Sequence, residues 1–266
     1  MSMKTISIVI PALNEEKGIG SVLKEIPIAR LKDMGYETEV LVIDNGSDDK
    51  TPHIARKLGA RVIIQPIRGY GNAYKAGFAN AHGDIVATGD ADLTYPFSIL
   101  PEAIRRIEKD GIDFMNTDRL TTLKKEVMEG THVFGNQLLS IGTKILFKWP
   151  YKDSQSGMWI FKRQIWDHLD VRSSGMPFSQ ELKIEAYTRG FKCAEMPIDY
   201  RARAGEVKLN TIRDGIGNIM QLFKKRLQLG IRVAKVDIQQ IEQEWTSVNL
   251  DGTSKDKKWE TAAVAQ

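Results

Sequence analysis

Short apolar runs alternate with helix-like stretches along the first hundred residues. We predict buried strands at residues 5–11, 39–44, 61–65 and 84–88, and helices at 14–35, 48–59 and after Gly71. Because the connections are short, this order predicts successive β–α–β units with right-handed crossovers. The predicted fold class is therefore α/β, with a parallel-rich sheet flanked by helices.

The alternation continues to about residue 200 and then changes. We predict further helices at 97–110, 130–149 and 179–189, and further strands at 113–116, 157–162 and 193–200. Residues 1–210 contain no linker or repeat, so we predict one domain. In residues 211–247, apolar residues at helical spacing beside the basic cluster 224–226 predict an amphipathic basic helical segment. The polar residues 248–266 are predicted to be a flexible tail.

Composition narrows the class of protein. The 266 residues are 42% apolar and 27% charged, which is typical of a globular protein. The single cysteine, Cys193, excludes an internal disulfide, and four scattered histidines form no zinc-type cluster. The N-terminus enters a strand without a signal-peptide pattern, so we expect a cytoplasmic protein. No apolar run approaches the roughly 20 residues that a membrane-spanning helix needs.

Positive charge is concentrated towards the C-terminus. Residues 201–235 contain nine Lys or Arg and two acids, whereas the net charge of the whole chain is only +4. This segment favours an anionic partner, and an amphipathic basic helix can make peripheral contact with the inner face of the cell membrane. A core helix or a homodimer interface explains the same pattern about equally well. We expect no nucleic-acid partner.

Two well-known phosphate-binding signatures are missing from the sequence. The first strand ends in PALNEE rather than in Gly-x-Gly-x-x-Gly, and no Gly-x-x-x-x-Gly-Lys-Ser/Thr loop occurs. Dinucleotide-fold dehydrogenases and P-loop NTPases are therefore excluded. The glycine-rich loop of sugar-nucleotide pyrophosphorylases is also missing from the end of the first strand.

Two carboxylates, Asp90 and Asp92, follow the fourth predicted strand in the sequence GDADLTYP. Ligands collect at the strand ends of open α/β sheets, and two such carboxylates can hold a hard cation that in turn holds a diphosphate. The same residues could simply cap the next helix. They also fit the Asp-x-Asp-x-Thr pattern of phosphohydrolases, with Asp90 as nucleophile, although no later acidic pair accompanies them.

Polar residues also follow the second and third predicted strands. In DNGSDDKT, Asp44 is placed to accept hydrogen bonds from a base or ribose, while the later acids can start the next helix. In RGYGNAYKAGF, Gly69 and Gly71 are expected to leave the backbone exposed, and Arg68 and Lys75 supply positive charge. Together with the N-terminus of the following helix, this composition suits a phosphate.

The motifs PALNEE, DNGSDDKT, RGYGNAYKAGF and GDADLTYP, in this order, resemble those of family 2 glycosyltransferases with the GT-A fold. The similarity is greatest to polyprenol-phosphate sugar transferases, such as dolichol-phosphate mannose and glucose synthases. It continues through TDRL, GNQLLSIGTKILF, DSQSGMWIFKR and YRARAGEVKLN, and covers roughly residues 4–214.

The resemblance implies a donor site for a GDP- or UDP-sugar. Asp90 and Asp92 would hold Mg²⁺ or Mn²⁺ on the diphosphate, and Thr94 stands where many mannose synthases carry Gln, a further candidate ligand. The implied nucleotide-binding residues are Pro11, Ala12, Asn14, Glu15, Asp44, Arg68, Gly69, Asn72, Lys75, Asp90, Ala91 and Asp92.

The resemblance also implies a polyprenyl-phosphate acceptor. A phosphate monoester has a second pKa near 6 and is largely a dianion at neutral pH, so the enzyme needs cations rather than a general base. The candidate acceptor-phosphate ligands are Arg119, Arg201, Arg203 and Lys208, and the candidate catalytic residues are Asp92, Arg119, Asp153 and Glu181. In hydroxyl-directed relatives the acid at the position of Glu181 is a candidate base; here it could position the acceptor or cap a helix.

The leading hypothesis is a metal-dependent, inverting hexosyltransferase that acts on a polyprenyl phosphate. Three alternatives stay open from the sequence: a soluble transferase to a hydroxyl acceptor, an Asp-x-Asp-x-Thr phosphohydrolase, and a nucleotide-sugar binding protein without catalysis.

Overall fold

The structure is a computed structural model that describes residues 3–122, 130–204 and 211–229, without the side chains of residues 130–134 and 211–214. Three predictions lie outside the described residues: the acceptor cation Lys208, the part of the helical segment after residue 229, and the tail 248–266.

A seven-stranded sheet forms the centre of the fold, in the order β3-β2-β1-β4-β6-β5-β7. Neighbouring strands run parallel except β6, which is antiparallel to both β4 and β5. The prediction of a parallel-rich α/β sheet is confirmed. The strands are β1 (Lys4–Ala12), β2 (Tyr36–Asp44), β3 (Arg61–Ile64), β4 (Ile85–Thr88), β5 (Phe114–Asp118), β6 (Trp159–Lys162) and β7 (Cys193–Pro197).

Helices cover both faces of this sheet. Short 3₁₀ helices at Phe97–Ile99 and Arg163–His168 supplement them. The α-helices are α1 (Ile19–Glu25), α2 (Ile28–Asp33), α3 (Thr51–Lys57), α4 (Tyr70–Asn80), α5 (Leu100–Asp110), α6 (Gly130–Phe147), α7 (Phe178–Thr188) and α8 (Thr211–Leu229).

The single helix predicted for residues 14–35 is wrong, because a loop followed by two short helices occupies this stretch. Asn14 has a left-handed backbone with φ 51°, so the helix cannot begin there, and α1 starts at Ile19. Pro27 then separates α1 from α2, since a residue before proline avoids helical geometry, and Ile26 is extended with φ −60° and ψ 123°. The loop left after β1 becomes part of the site.

The apolar core lies on both faces of β1. Ile8 and Ile10 face one cluster, and Val9 faces a second cluster that contains the aromatic rings of Tyr74 and Trp159. A strand buried on both faces has a continuous apolar sequence, which explains why β1 is recognisable from its residues alone.

Helices α6, α7 and α8 pack together beyond the end of the sheet. Leu139, Phe147, Ile184 and Leu222 form the small apolar cluster between them. The compact unit that contains the sheet runs from Met1 to Val233 and includes α8. Among the described residues, no helix is long and apolar enough to cross a membrane.

Candidate active site

The strand ends converge at one edge of the sheet. Ala12 at the end of β1 is paired in register with Asp44 at the end of β2, and β4, which ends two residues before Asp90, lies on the other side of β1. Strand β5 has the same direction and delivers Arg119 to this edge. Because β6 is antiparallel, the residues before it, including Asp153, reach the edge as well. Residues distant in sequence therefore share one cleft edge, as expected for an open α/β sheet.

The loop after β1 interlocks with the loop after β2. The N–H of Asn14 donates to Oγ of Ser47 at 2.9 Å, and the N–H of Asp48 donates to Oδ1 of Asn14 at 2.8 Å. The N–H of Glu15 donates to Oγ1 of Thr51 at 2.8 Å. These exchanged hydrogen bonds explain the left-handed backbone at Asn14, and they make one rigid surface of the two predicted nucleotide-binding loops.

Asn45 connects this surface to the loop after β3, and its role is not predicted from the sequence. Its Nδ2 donates to the carbonyl oxygens of Gln65 and Ile67 at 2.9 and 3.0 Å, while its Oδ1 accepts from the N–H of Gly69 at 2.7 Å. Asp44 beside it is only 4% exposed and accepts from the N–H of Ser47 at 3.2 Å. An Asn after a strand is common in turns, so its connecting role is visible only in the structure.

The glycines of the loop after β3 do not leave an open backbone, and that prediction is wrong. A Cβ at Gly71 would lie 2.5 Å from the carbonyl oxygen of Ser173, and one at Gly69 would clash with that of Ser174. The N–H of Asn72 donates to the carbonyl oxygen of Ser174 at 3.1 Å. The glycines are therefore needed because residues 173–174 pass directly over them.

The two cations of this loop are placed differently. Arg68 is exposed and donates to the carbonyl oxygen of Gly46 at 3.1 Å, above the end of β2. Lys75 donates to the carbonyl oxygen of Arg172 at 2.9 Å, and partial burial lowers its pKa. Of the two, only Arg68 reaches over the interlocked nucleotide loops.

Asp92 lies close enough to Asp90 to affect the ionisation of the Asp90 carboxyl group. Asp92 is 1% exposed; its Oδ1 accepts from the N–H and hydroxyl of Thr94 at 3.1 and 2.6 Å. Burial and the charge of Asp92 raise the pKa of Asp90 to about 8. Thr94 thus orients Asp92 rather than offering its oxygen as an open ligand.

These two carboxylates fit a divalent cation that is completed by a substrate. The carboxylate of Asp90 accepts no hydrogen bond from the residues that the structure describes, so its oxygens are available as ligands. Within the same residues, no group of three or more His, Cys, Asp or Glu side chains could hold a metal ion. Mg²⁺-type sites with one or two carboxylates commonly take their remaining ligands from water and substrate phosphates.

The segment after β7 that contains Arg201 and Arg203 lies directly against the loop that contains Asp92 and Thr94. Backbone hydrogen bonds join the N–H of Arg201 to the carbonyl oxygen of Thr94 and the N–H of Ala204 to that of Asp92, at 3.0 and 2.8 Å. Nη2 of Arg203 lies 2.7 Å from Oδ2 of Asp92. Arg201, by contrast, forms an ion pair with Glu25 of α1 at 2.8 Å, so the structure places its guanidinium against α1 and not against Asp92.

Asp153 orients Arg119 in this structure, and its predicted catalytic role stays a prediction. It is fully buried and accepts from Nε and Nη2 of Arg119 at 2.7 and 3.0 Å, and from the backbone N–H groups of Arg119 and Gln155. Burial opposes its charge, but the Arg119 guanidinium holds the pKa of Asp153 below its usual range. The ionised carboxylate of Asp153 is occupied by Arg119, which it orients, and the guanidinium of Arg119 lies over the Tyr200 ring at 5.3 Å.

Glu181 is likewise engaged in structural contacts, and its predicted catalytic role stays a prediction. It is fully buried on α7, and its Oε2 accepts from the N–H groups of Arg172 and Ser173 at 3.2 and 2.8 Å. Its Oε1 lies 3.1 Å from Nζ of Lys225. Lys225 is 1% exposed, so the basic cluster 224–226 is not a uniformly exposed face.

A set of tyrosines forms the wall behind Asp90, and the sequence analysis did not select it. The hydroxyl of Tyr95 accepts from the N–H of Gly157 at 2.6 Å, and a Cβ at Gly157 would lie 2.7 Å from the hydroxyl of Tyr70. Burial raises the pKa of Tyr70, Tyr74 and Tyr95, so these phenols stay neutral. They give Asp90 a low-dielectric surrounding on its inner side.

The family model described as "Glycosyl transferase family 2" matches residues 7–169, more than half of the chain. The chain belongs to glycosyl transferase family 2. The seven-stranded sheet and the carboxylates at the end of β4 are thus those of a glycosyltransferase with the GT-A fold, which confirms the predicted family and enzyme class. Membership of this family excludes the two alternative functions of a phosphohydrolase and of a nucleotide-sugar binding protein without catalysis.

Curated relatives of this glycosyltransferase include two proteins of Haloferax volcanii. The low-salt glycan biosynthesis hexosyltransferase Agl6 is 38% identical over 79% of this chain and 51% of its own length, so the chain spans about half of that relative. A dolichyl-phosphate hexose transferase is 37% identical over 86% of this chain and 96% of its own length. The dolichol-phosphate mannosyltransferase of Pyrococcus furiosus is 27% identical over 82% of this chain and 64% of its own length.

A solved structure with a similar fold carries ligands. Glucosyl-3-phosphoglycerate synthase from Mycobacterium tuberculosis, in complex with Mn²⁺, UDP and glucosyl-3-phosphoglycerate, has a TM-score of 0.69 and 26% identity, over 84% of this glycosyltransferase and 80% of that chain. Divalent-metal use in the present glycosyltransferase is consistent with that complex and with the chemistry of Asp90 and Asp92.

Proposed function

We propose that this glycosyltransferase moves a hexose from a UDP- or GDP-sugar to a polyprenyl phosphate, with inversion and with Mn²⁺ or Mg²⁺. The observation that carries the proposal is the 2.7 Å contact between Arg203 and Asp92. It joins a cation of the predicted acceptor motif to a carboxylate of the predicted metal site. An acceptor phosphate at Arg203 would therefore stand next to the donor diphosphate, which is the arrangement that transfer needs.

The donor would bind at the edge formed by β1, β2 and β4. The interlocked loops at Asn14 and Asp44 offer a rigid surface for the nucleoside, and Arg68 lies above it. Asp90 and Asp92 would hold the metal ion, which when bound supplies positive charge to the diphosphate leaving group. Burial near the neutral tyrosines would strengthen the attraction of the Asp90 carboxylate for a cation.

The acceptor oxygen needs no general base in this proposal. The two predicted acidic candidates, Asp153 and Glu181, are buried and fully engaged with Arg119, Lys225 and backbone N–H groups. A phosphate monoester is already largely a dianion at neutral pH, so it needs only orientation and charge balance. Arg119 and Arg203 can supply positive charge to the phosphate, although the Nε–Nη2 edge of Arg119 is already bound by Asp153.

The lipid part of the acceptor would lie along an apolar surface of α6 and α8, which we name the α6–α8 surface. Its members are the exposed residues Leu138, Ile141, Ile145, Ile216, Ile219, Met220, Phe223 and Leu227. The exposed cations Lys144 and Lys224 lie on the same two helices. Apolar residues beside cations favour the interface of an anionic membrane, at about 1 kcal/mol per cation. This supports peripheral membrane contact, and a homodimer through the same surface stays an alternative prediction.

The test of the proposal is transfer by the purified full chain. With Mn²⁺, labelled UDP- and GDP-hexoses and a polyprenyl phosphate in detergent, we expect a labelled lipid product. Arg203→Ala should lower kcat/KM at least 100-fold, because it removes a cation from the acceptor phosphate. Arg105→Ala, which removes an exposed arginine of α5 paired with Glu102, is the matched control. If no nucleotide sugar is used with the lipid phosphate, the proposal is refuted.

A second candidate is transfer to a water-soluble acceptor. It is favoured by the solved neighbour, whose bound glucosyl-3-phosphoglycerate is a water-soluble compound. For a hydroxyl acceptor that carries no phosphate group, Arg203→Ala would cause a loss of less than about tenfold. The size of the Arg203 effect, measured with both acceptor types, separates the two candidates.

A further inference from the structure

Lys225 lies on the buried side of α8 with all of its donors used. Its Nζ lies 2.6 Å from Oε1 of Glu185 and 3.1 Å from Oε1 of Glu181, and it donates to the carbonyl oxygen of Asp170 at 2.7 Å. An ammonium group has three N–H donors, so these contacts satisfy it completely. Lys225 is therefore shared by two carboxylates that are each no more than 1% exposed, and Arg189 supplies a second positive charge to Glu185 at 2.6 Å.

The two carboxylates hold the segment 170–174 through its backbone. Oε2 of Glu181 accepts from the N–H groups of residues 172 and 173, and Oε2 of Glu185 accepts from the N–H of residue 170 at 3.0 Å. Burial opposes the charge of Glu185, but hydrogen bonds from Lys225 and Arg189 lower its pKa. The segment is thus tied to α7 and, through Lys225, to α8.

The other side of the segment 170–174 faces the loop that contains Arg68. The carbonyl oxygen of Ser174, the last residue of the segment, accepts from the N–H of Asn72 in the first turn of α4 at 3.1 Å. The carbonyl oxygen of residue 172 accepts from Lys75 at 2.9 Å. Gly71 has no room for a side chain against it. The segment is the support on which residues 68–72 rest.

We propose that Lys225 is a positioning residue of the donor site: through Glu181 and the segment 170–174, it fixes residues 68–72 in the place where they meet the nucleotide. The proposal rests on the proposed function, because the ligand is a nucleoside diphosphate. Without Lys225, the buried carboxylate of Glu181 would lose its ion-pair partner beside Glu185, which keeps Arg189, and the hold on the segment would weaken. A shift of about 1 Å in a positioning element can change a rate on the order of 100-fold.

The experiment compares Lys225→Met with Lys109→Met in the full chain. Lys109 is an exposed lysine on α5, so its replacement removes the same charge without changing the contacts of Lys225, Glu181 and the segment 170–174. Hydrogen–deuterium exchange is measured over residues 68–76 and 170–174, and calorimetry gives the Kd of UDP and of GDP with Mn²⁺. We expect faster exchange in both peptides and a Kd at least about tenfold higher for Lys225→Met only. Lys225→Arg, which keeps the charge, should recover part of the affinity.

Unchanged exchange and an unchanged Kd in a folded Lys225→Met protein would overturn the inference, even if its Tm falls, because a lower Tm alone reports a structural role. If Lys225→Met does not fold, Glu181→Gln is measured in the same way, since it weakens the hold on residues 172 and 173 but keeps the contact between Lys225 and Glu185. If the unaltered chain binds neither nucleotide, the proposed function fails, and the exchange of the Asn72 amide still decides the role of Lys225.

Discussion

Replacing Asp153 by Asn should destabilise the protein strongly although it changes only one atom. Asp153 is fully buried and receives two side-chain hydrogen bonds from Arg119. Removing one partner of a buried ion pair costs about 3–5 kcal/mol, because the other charge remains without compensation. The amide group of Asn would also place a donor against a donor of Arg119. In a chain of this size, each kcal/mol corresponds to a shift of about 2–4 °C in Tm, so we expect a fall of roughly 6–20 °C.

The pH dependence of this loss tests its electrostatic origin. Because Arg119 holds the pKa of Asp153 below its unfolded value of about 3.9, the ionised carboxylate contributes stability above that pH. The contribution is lost as the pH falls through the lower folded pKa. The difference in free energy of unfolding between the two proteins, measured with urea from pH 7 to pH 3, should therefore shrink towards the acidic end.

A matched control uses an exposed ion pair. Glu102→Gln removes the partner of Arg105 on the surface of α5, and it should change the free energy of unfolding by less than about 1 kcal/mol. If Asp153→Asn costs no more than this control, or if its cost is the same at pH 3 and pH 7, the assignment of Asp153 as the charge partner that orients Arg119 is refuted.

Three further changes have defined outcomes. Asp92→Asn should abolish the Mn²⁺-dependent part of UDP or GDP binding in calorimetry; retention of that part would exclude Asp92 as a ligand. Thr94→Val removes the hydroxyl that donates to Asp92 at 2.6 Å and should weaken Mn²⁺ affinity about 10- to 100-fold in a titration, with an unchanged value counting against the orienting role. Gly77→Ala would place a Cβ against Val9 and should cost about 1–3 kcal/mol in urea unfolding.

The sheet was predictable from the sequence because its central strands are buried on both faces. Residues 8–12 of β1, 40–43 of β2 and 85–87 of β4 are continuous apolar runs, and the polar residues that follow them mark the edge where the site forms. Asp90 and Asp92 could be selected for this reason. Pro27 marks the break in the sequence, but helical spacing on both sides of it predicts one continuous helix.

The roles of the other polar residues depend on contacts between distant parts of the chain. Arg201 and Arg203 are equivalent in sequence, yet one pairs with Glu25 and the other with Asp92. The requirement for Gly71 comes from Ser173, about a hundred residues later. Composition and spacing carry no information on such pairings, so the sequence identifies which residues are polar and placed near the site, but not which of them a ligand can reach.

The antiparallel strand β6 divides the sheet into two halves of contiguous sequence. The proposed donor residues all precede β6 in the sequence. The proposed acceptor residues follow the start of β6, with the exception of Arg119. Relatives could therefore exchange acceptor preference by recombination near β5 without altering the nucleotide loops. The segment 170–174 sets the condition for such an exchange, because it belongs to the second half and rests on the first. A functional chimera must keep glycine at positions 69 and 71 whenever it inherits this segment.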